Sequence, residues 1–243
     1  MQTYYMTDIG RSRSNNQDFV CCSTEPVGKF PNLFVVADGM GGHNAGDTAS
    51  RTGVEQIVQQ IRESENITIV SIWEDALAKA NQYVFDMAQS QPELEGMGTT
   101  IVGAVVMENT AYIVNVGDSR MYLLRDSISQ ITEDHSLVGE MVRSGEIKKD
   151  EMRTHPNKNI ITRALGTKET VKADCFEVEL EPGDVLLLCS DGLSNMLEDS
   201  QMEEIVRSCR GVENGIEHAC RKLVERANDA GGKDNISVIL IEI

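Results

Sequence analysis

Four short stretches of this chain set an aspartate beside a glycine or asparagine at the edge of an apolar, strand-like run. They are LFVVADGMGG at Asp38-Gly39, YIVNVGDSR at Gly117-Asp118, VLLLCSDG at Asp191-Gly192 and GGKDN at Asp234-Asn235. A carboxylate is expensive to bury unless it is paired or bound to a cation, and a strand end carrying a glycine is where several segments can converge on one ion. The chemistry this predicts is metal-dependent hydrolysis. Each acid alone has a plainer reading: Asp38 as a solvated acid in a strand-to-helix turn, Gly117-Asp118 as a hairpin turn, Asp191 as a helix N-cap, Asp234 as a turn acid. Four strand-end acids together need four such explanations at once, and their joint signal outweighs its parts. They span most of the sequence, so the fold must assemble the site.

The ligand types select a hard divalent ion, magnesium or manganese, which takes oxygen donors and commonly keeps several waters. The four histidines, His43, His135, His155 and His218, form no close pair of the kind that builds a nitrogen-rich zinc site. An anionic substrate beside acidic ligands needs a cationic anchor, and an arginine offers a planar fork matched to phosphate oxygens. Arg11 and Arg13 lie in GRSRSNNQD, and Arg13 is the candidate; the plain reading of either is a solvated loop arginine. Two cations holding a water would lower its pKa and stabilise the charged transition state, so no protein nucleophile is required.

The elements that must carry these residues are legible in outline. Alternation predicts strands over 3–9 and 18–22, and the continuous apolar run 33–37 predicts a strand buried on both faces. Val54, Ile57, Val58 and Ile61 stand at helical spacing within 44–62, and a second amphipathic helix is predicted over 69–88. From 98 to 131 the text turns to β-branched segments, with turns at Glu108-Asn109 and Arg125-Asp126-Ser127, which predicts hairpins in an antiparallel meander. Polar, helix-leaning sequence over 136–154 and an irregular stretch to 166 read as a mobile surface insertion. Strands follow at 175–180 and 185–190, helices at 199–209 and 214–229, and a last strand at 236–241. Strand runs interrupted by helix pairs, without βαβ alternation, predict α+β layers.

Composition bounds the setting. The 243 residues include 39 acidic and 22 basic side chains, a formal charge of −17 that repels nucleic acid and anionic membranes. No run approaches the roughly 20 apolar residues of a membrane span, and no signal-peptide pattern follows Met1, so a cytoplasmic protein is expected. With no low-complexity linker, one domain over 1–243 is expected. The six cysteines form no CxxC pair and are expected to be reduced and mostly packed. With no heptad or long apolar surface helix, a monomer is expected.

At the level of motifs the chain resembles the metal-dependent serine/threonine protein phosphatases of the PPM (PP2C) family, particularly their compact bacterial members. The matching text is RSNNQD, VVADGMGGHNAGDTAS, GMGTT, VNVGDSR, ITEDHSLVGEMV, HPNKNIITRALG, PGDVLLLCSDGLSN and GGKDNISVIL, in family order from about Gly10 to Leu240. The resemblance implies a four-layer α-β-β-α sandwich of two antiparallel sheets flanked by helix pairs, with a metal centre in a cleft at one end. It implies two or three divalent cations, Mn2+ or Mg2+, and direct attack of a metal-activated water or hydroxide on phosphoserine or phosphothreonine of proteins. Asp38 would bridge two ions, Gly39 would contribute its carbonyl, and Asp191 and Asp234 would complete one shell. Asp118, with Asp191, matches a weaker third position, Asp18 a residue holding metal-bound water, and Arg13 the phosphate-binding arginine.

Thr99 and Thr100 look like packing residues near this site. The segment 136–166 matches a variable flap bordering the cleft and influencing substrate choice. Partners implied are phosphorylated proteins, including a Ser/Thr kinase that the enzyme opposes. Two positions depart from common family patterns. Gln17 replaces a glutamate, turning a water-holding carboxylate into an amide, and Met40 stands where the eukaryotic branch has a histidine proposed as general acid. His43 is the nearby histidine of the bacterial pattern and the candidate proton donor.

Overall fold

A computed structural model describes residues 1–42 and 45–243. Among the described residues eleven strands form two sheets, and every strand pair is antiparallel. The first sheet has the order β1 (Gln2–Asp8), β11 (Ile236–Glu242), β10 (Val185–Cys189), β7 (Arg120–Leu124), β8 (Ile128–Gln130). The second has the order β2 (Asp18–Ser23), β3 (Leu33–Met40), β5 (Ile101–Met107), β6 (Thr110–Val116), β9 (Asp174–Glu179), with the two-residue β4 (Gly98–Thr99) paired to the end of β3.

Three apolar clusters define four layers. Phe34, Val36, Val102 and Ile113 of the second sheet meet Met121, Leu188 and Ile239 of the first between the sheets. The alternate residues of the same strands, Leu33, Val35 and Ala37, pack outward against α1 (Ala45–Glu63) and α2 (Ile69–Ser90). On the far side Leu187, Cys189, Val238 and Leu240 pack against α5 (Asp199–Ser208) and α6 (Gly215–Asp229). Strands covered on both faces have no solvent face to make polar, which is why 33–37 and 185–189 read as unbroken apolar runs. The layers are the expected α-β-β-α sandwich.

The helices follow from capping and spacing. Thr68 caps α2, its Oγ1 accepting from Ser71 N at 3.2 Å. Ile69, Ile72, Trp73, Ala76, Leu77, Ala80 and Val84 then repeat at three and four residues to give one buried stripe. A short helix, α4 (Asp191–Ser194), follows β10, and α3 (Leu137–Arg143) opens the 136–166 segment with Ser136 Oγ accepting from Gly139 N at 3.1 Å.

One expectation is corrected. The strands over 98–131 do not form one meander. β5–β6 and β7–β8 are hairpins, but β6 belongs to the second sheet and β7 to the first. Gly117-Asp118-Ser119 is therefore the crossover between sheets, not a hairpin turn. The cysteines are all free and mostly packed: Cys189 and Cys220 are buried, Cys21, Cys22 and Cys209 lie half-buried against the apolar clusters, and Cys175 is exposed because its strand is an edge with one solvent face. The segment 136–166 contains α3 and a 3-10 turn (Lys149–Thr154) and is tied down at both ends, by the bridges Ser136–Ile161 and Thr99–Leu165. Arg153 pins its middle, Nη1 donating to Glu198 Oε2 at 3.0 Å and Nη2 to Leu197 O at 2.9 Å.

Candidate metal centre

Within each sheet, register brings the acids to one end. Asp18, the first residue of β2, sits opposite Asp38, near the end of β3. In the other sheet Cys189, the last residue of β10, faces both Arg120, the first of β7, and Val238 of β11. Antiparallel pairing therefore puts the start of β7, the end of β10 and the start of β11 side by side, and with them Asp118, Asp191 and Asp234.

Short hydrogen bonds lock the two sheet ends together. Ser190 Oγ donates to Asp18 Oδ2 at 2.7 Å, and Gln17 N–H donates to Asn235 Oδ1 at 2.9 Å. Asn235 Nδ2 in turn donates to Ile9 O at 2.9 Å and Asn15 O at 3.0 Å, anchoring both ends of the arginine loop. Gly192 is required for a close approach: a Cβ there would lie 1.9 Å from Asn235 O. Gly192→Ala is accordingly expected to cost roughly 1–3 kcal/mol, as overpacking does, and to pull Asp191 from Asp234. Thermal melting and Mn2+ titration check this; an unchanged melting temperature with unchanged Mn2+ affinity would contradict it.

Thr99 and Thr100 are buried and brace Asp38. Thr99 Oγ1 donates to Asp38 O at 3.0 Å, Asp38 N–H donates to Thr100 Oγ1 at 3.0 Å, and Thr100 Oγ1 pairs with Ser119 Oγ at 2.8 Å. The Gln17 side-chain amide lies against Gly46 in the first turn of α1, and its backbone oxygen accepts from Gly39 N at 3.1 Å and Ser50 Oγ at 2.6 Å.

The electrostatics are those of a cluster assembled for positive charge. Burial, with added repulsion from Asp191 and Asp234, pushes the Asp18 carboxyl up to about 7 despite bonds from Ser237 and Ser190. Asp191 is pushed up to about 6 by burial and by Asp234, against relief from an Asp38 hydrogen bond and from Arg120 and Arg13. Asp38 and Asp118 are held well above the ordinary carboxylate range, first by burial and then by neighbouring aspartates. Asp18 Oδ1, Asp118 Oδ1 and Asp191 Oδ1 are buried without a hydrogen-bond partner. Buried carboxylate oxygens left unpartnered are costly, and a cation is the partner that fits an all-oxygen set. Among the described residues no group of three or more His, Cys, Asp or Glu side chains closes into a cage for an ion.

Arg13 stands at the margin, half exposed, with Nη2 donating to Asp234 Oδ2 at 2.8 Å. The bond to Asp234, reinforced by the charges of Asp38 and Asp191, raises its pKa. The structure thus brings together Arg13, Asp18, Asp38, Gly39, Asp118, Asp191 and Asp234; His43 lies outside the described residues. Ser190 and Ser119 tie the site together but carried no sequence signal of their own, each beside a predicted acid. A recess lined by Asp118, Asp191, Arg153 and Lys158 adjoins a groove of about 750 Å³ between the 136–166 segment and the start of α5. A groove of about 700 Å³ between β2 and α1 includes none of the clustered aspartates.

Fold and site define a protein class, and comparison agrees: the sequence profile described as Protein phosphatase 2C matches residues 9–236. The chain belongs to the protein phosphatase 2C family and is a serine/threonine protein phosphatase. It is similar to the serine/threonine phosphatase stp of Listeria innocua, 41% identical over 252 residues covering 100% of this chain and 96% of the relative. It is similar in structure to the serine/threonine phosphatase Stp1 of Staphylococcus aureus, with TM-score 0.90, 35% identity and coverage of 100% and 94%. The catalytic domain of the phosphatase PstP, described in complex with 2 manganese ions, matches with TM-score 0.85 and 31% identity over 99% of this chain and 97% of that one.

Proposed function

We propose that this chain hydrolyses phosphoserine and phosphothreonine in proteins with two or three divalent cations, Mn2+ or Mg2+, held by the strand-end aspartates. One observation carries the reading: five aspartates converge at one end of the sandwich, three of them with a buried, unpartnered oxygen. Asp38, the Gly39 carbonyl, Asp191 and Asp234 would hold the core ions, with Asp118 and Asp191 on a further one. Bound there, the cations supply Lewis acidity, lowering the pKa of a water and compensating phosphate charge. Asp18 has one oxygen fixed by Ser190 and the other free to accept from a water. Arg13 supplies a planar fork for phosphate oxygens from the cleft margin.

Phosphorylated proteins are the proposed substrates, among them a Ser/Thr kinase that the enzyme opposes. The chain is read as one phosphatase domain over 1–243 with a flap at 136–166, and as a cytoplasmic monomer. In support of one domain, three apolar clusters share the strands of the two sheets; among the described residues no helix is long and apolar enough to cross a membrane. The test is release of phosphate from a phosphothreonine peptide with Mn2+ or Mg2+ and after excess EDTA. Activity is expected with metal and none with EDTA. Full activity in EDTA would contradict the reading, as would peptide binding without phosphate release when metal is present.

A further inference from the structure

The crossover that carries Asp118 is clamped by two buried side chains the mechanism above does not use. Gly117 has φ +117, a left-handed conformation, and a Cβ there would lie 2.6 Å from Thr100, so this turn is held in a shape few residues adopt. Its oxygen accepts from His135 N–H at 2.9 Å and from Asn115 Nδ2 at 3.2 Å. Its N–H donates to His135 Nδ1 at 3.0 Å. A backbone N–H can only donate, so Nδ1 carries no proton, and the imidazole proton is on Nε2, which donates to Asp174 Oδ2 at 3.0 Å. Arg163 Nη1 also lies 3.0 Å from Nε2, but its two protons go to Asp174 Oδ1 at 2.8 Å and Lys172 O at 2.9 Å, which leaves Nε2 to donate to Asp174. His135 is buried and lies one residue before the flap, and its carbonyl accepts from Thr162 N at 2.8 Å on the flap's returning arm.

We propose that His135 is a positioning residue for Asp118, its Nδ1 fixing the Gly117 amide and so the backbone from which the Asp118 carboxylate is presented toward Asp191. This rests on the reading of Asp118 as a cation ligand. The bland alternative is a buried imidazole that merely satisfies its own hydrogen bonds, and two near-isosteric substitutions separate the possibilities. The Asn amide reaches the place of Nδ1, so His135→Asn keeps an acceptor for Gly117 and loses Asp174. The Gln amide reaches the place of Nε2, so His135→Gln keeps the Asp174 contact and strips the Gly117 amide of its acceptor.

The experiment measures hydrogen exchange of the Gly117 amide in metal-free protein, Mn2+ titration followed by electron paramagnetic resonance without substrate, and phosphopeptide kinetics. In His135→Gln the Gly117 amide is expected to exchange about tenfold faster, the weakest Mn2+ position to lose about tenfold in affinity, and kcat to fall with KM within about twofold. The tighter Mn2+ positions are expected to be unchanged, and His135→Asn to recover most of each loss. Equal behaviour of the two variants would overturn the proposal. Asp118→Ala is the control on the underlying reading: if it leaves the weakest Mn2+ position intact, that reading fails and the proposal with it. If Asp118→Ala removes that position while His135→Gln does not weaken it, the proposal alone fails. A check on the wild-type protein needs no variant: the 15N chemical shifts of His135 are expected to show a bare Nδ1 and a protonated Nε2, and a protonated Nδ1 would overturn the assignment.

Discussion

Asp38→Ala is expected to lower hydrolysis of a phosphothreonine peptide by about a thousandfold or more, with Asp191→Ala close behind. The size follows from the role: cation stabilisation of transition-state charge is worth several kcal/mol, and about 4 kcal/mol is a factor of a thousand. The loss should fall on kcat, and Mn2+ binding to the core should disappear with it. Stability should move the other way. Asp38 is disfavoured as a carboxylate first by burial and then by repulsion from Asp18, Asp191, Asp118 and Asp234, so without metal its removal relieves the cluster, and metal-free Asp38→Ala should melt at or above the wild-type temperature. A variant that lost activity because it unfolded would show the opposite. An Asp38→Ala enzyme within tenfold of wild type would contradict the assignment.

The second large effect is the pH dependence of metal-free stability. Folded Asp18 keeps its proton up to about pH 7 and folded Asp191 up to about pH 6, while in the unfolded chain both lose it near the ordinary 3.8. The folded chain therefore binds more protons across that window, and stability falls as pH rises from about 4 to 7. For Asp18 alone the penalty is on the order of 4 kcal/mol at neutral pH, which for a chain of this size shifts melting by roughly 10 °C. Differential scanning calorimetry in EDTA should show melting fall steadily between about pH 4 and 7. Mn2+ should restore it, by more at pH 8 than at pH 6, because the ion requires ionised ligands. Asp18→Asn should flatten the metal-free slope, which separates this effect from the general self-repulsion of a chain of charge −17. A metal-free melting temperature that rises with pH would contradict the account.

What was legible in the sequence follows from what is local. Alternation and helical spacing depend on neighbouring residues, so β3, β10, α2 and α6 are readable within a few residues of their ends. The strand-end aspartates are readable because burial forces their flanks to be apolar while their own chemistry cannot be. The sheet to which a strand belongs is not local. Gly117-Asp118 reads as well as a hairpin turn as a crossover, because turn chemistry does not record that β6 continues beside β9 while β7 joins β10. The clamp on that crossover is hidden for the same reason, since Gly117 and His135 meet only through tertiary structure. The meeting of Arg13 with Asp234 is equally illegible from composition, since a loop arginine is ordinarily solvated; the anchoring of its loop by Asn235 and Gly232 brings it there.

The convergence of the aspartates on divalent cations is the central claim, and crystals grown with Mn2+ test it most directly through anomalous scattering at the manganese edge. The account predicts at least two peaks within the cluster, with Asp38 between them and Asp191 and Asp234 on one of the two. No peak within the cluster, in crystals of protein that hydrolyses the phosphopeptide under the same metal concentration, would contradict it.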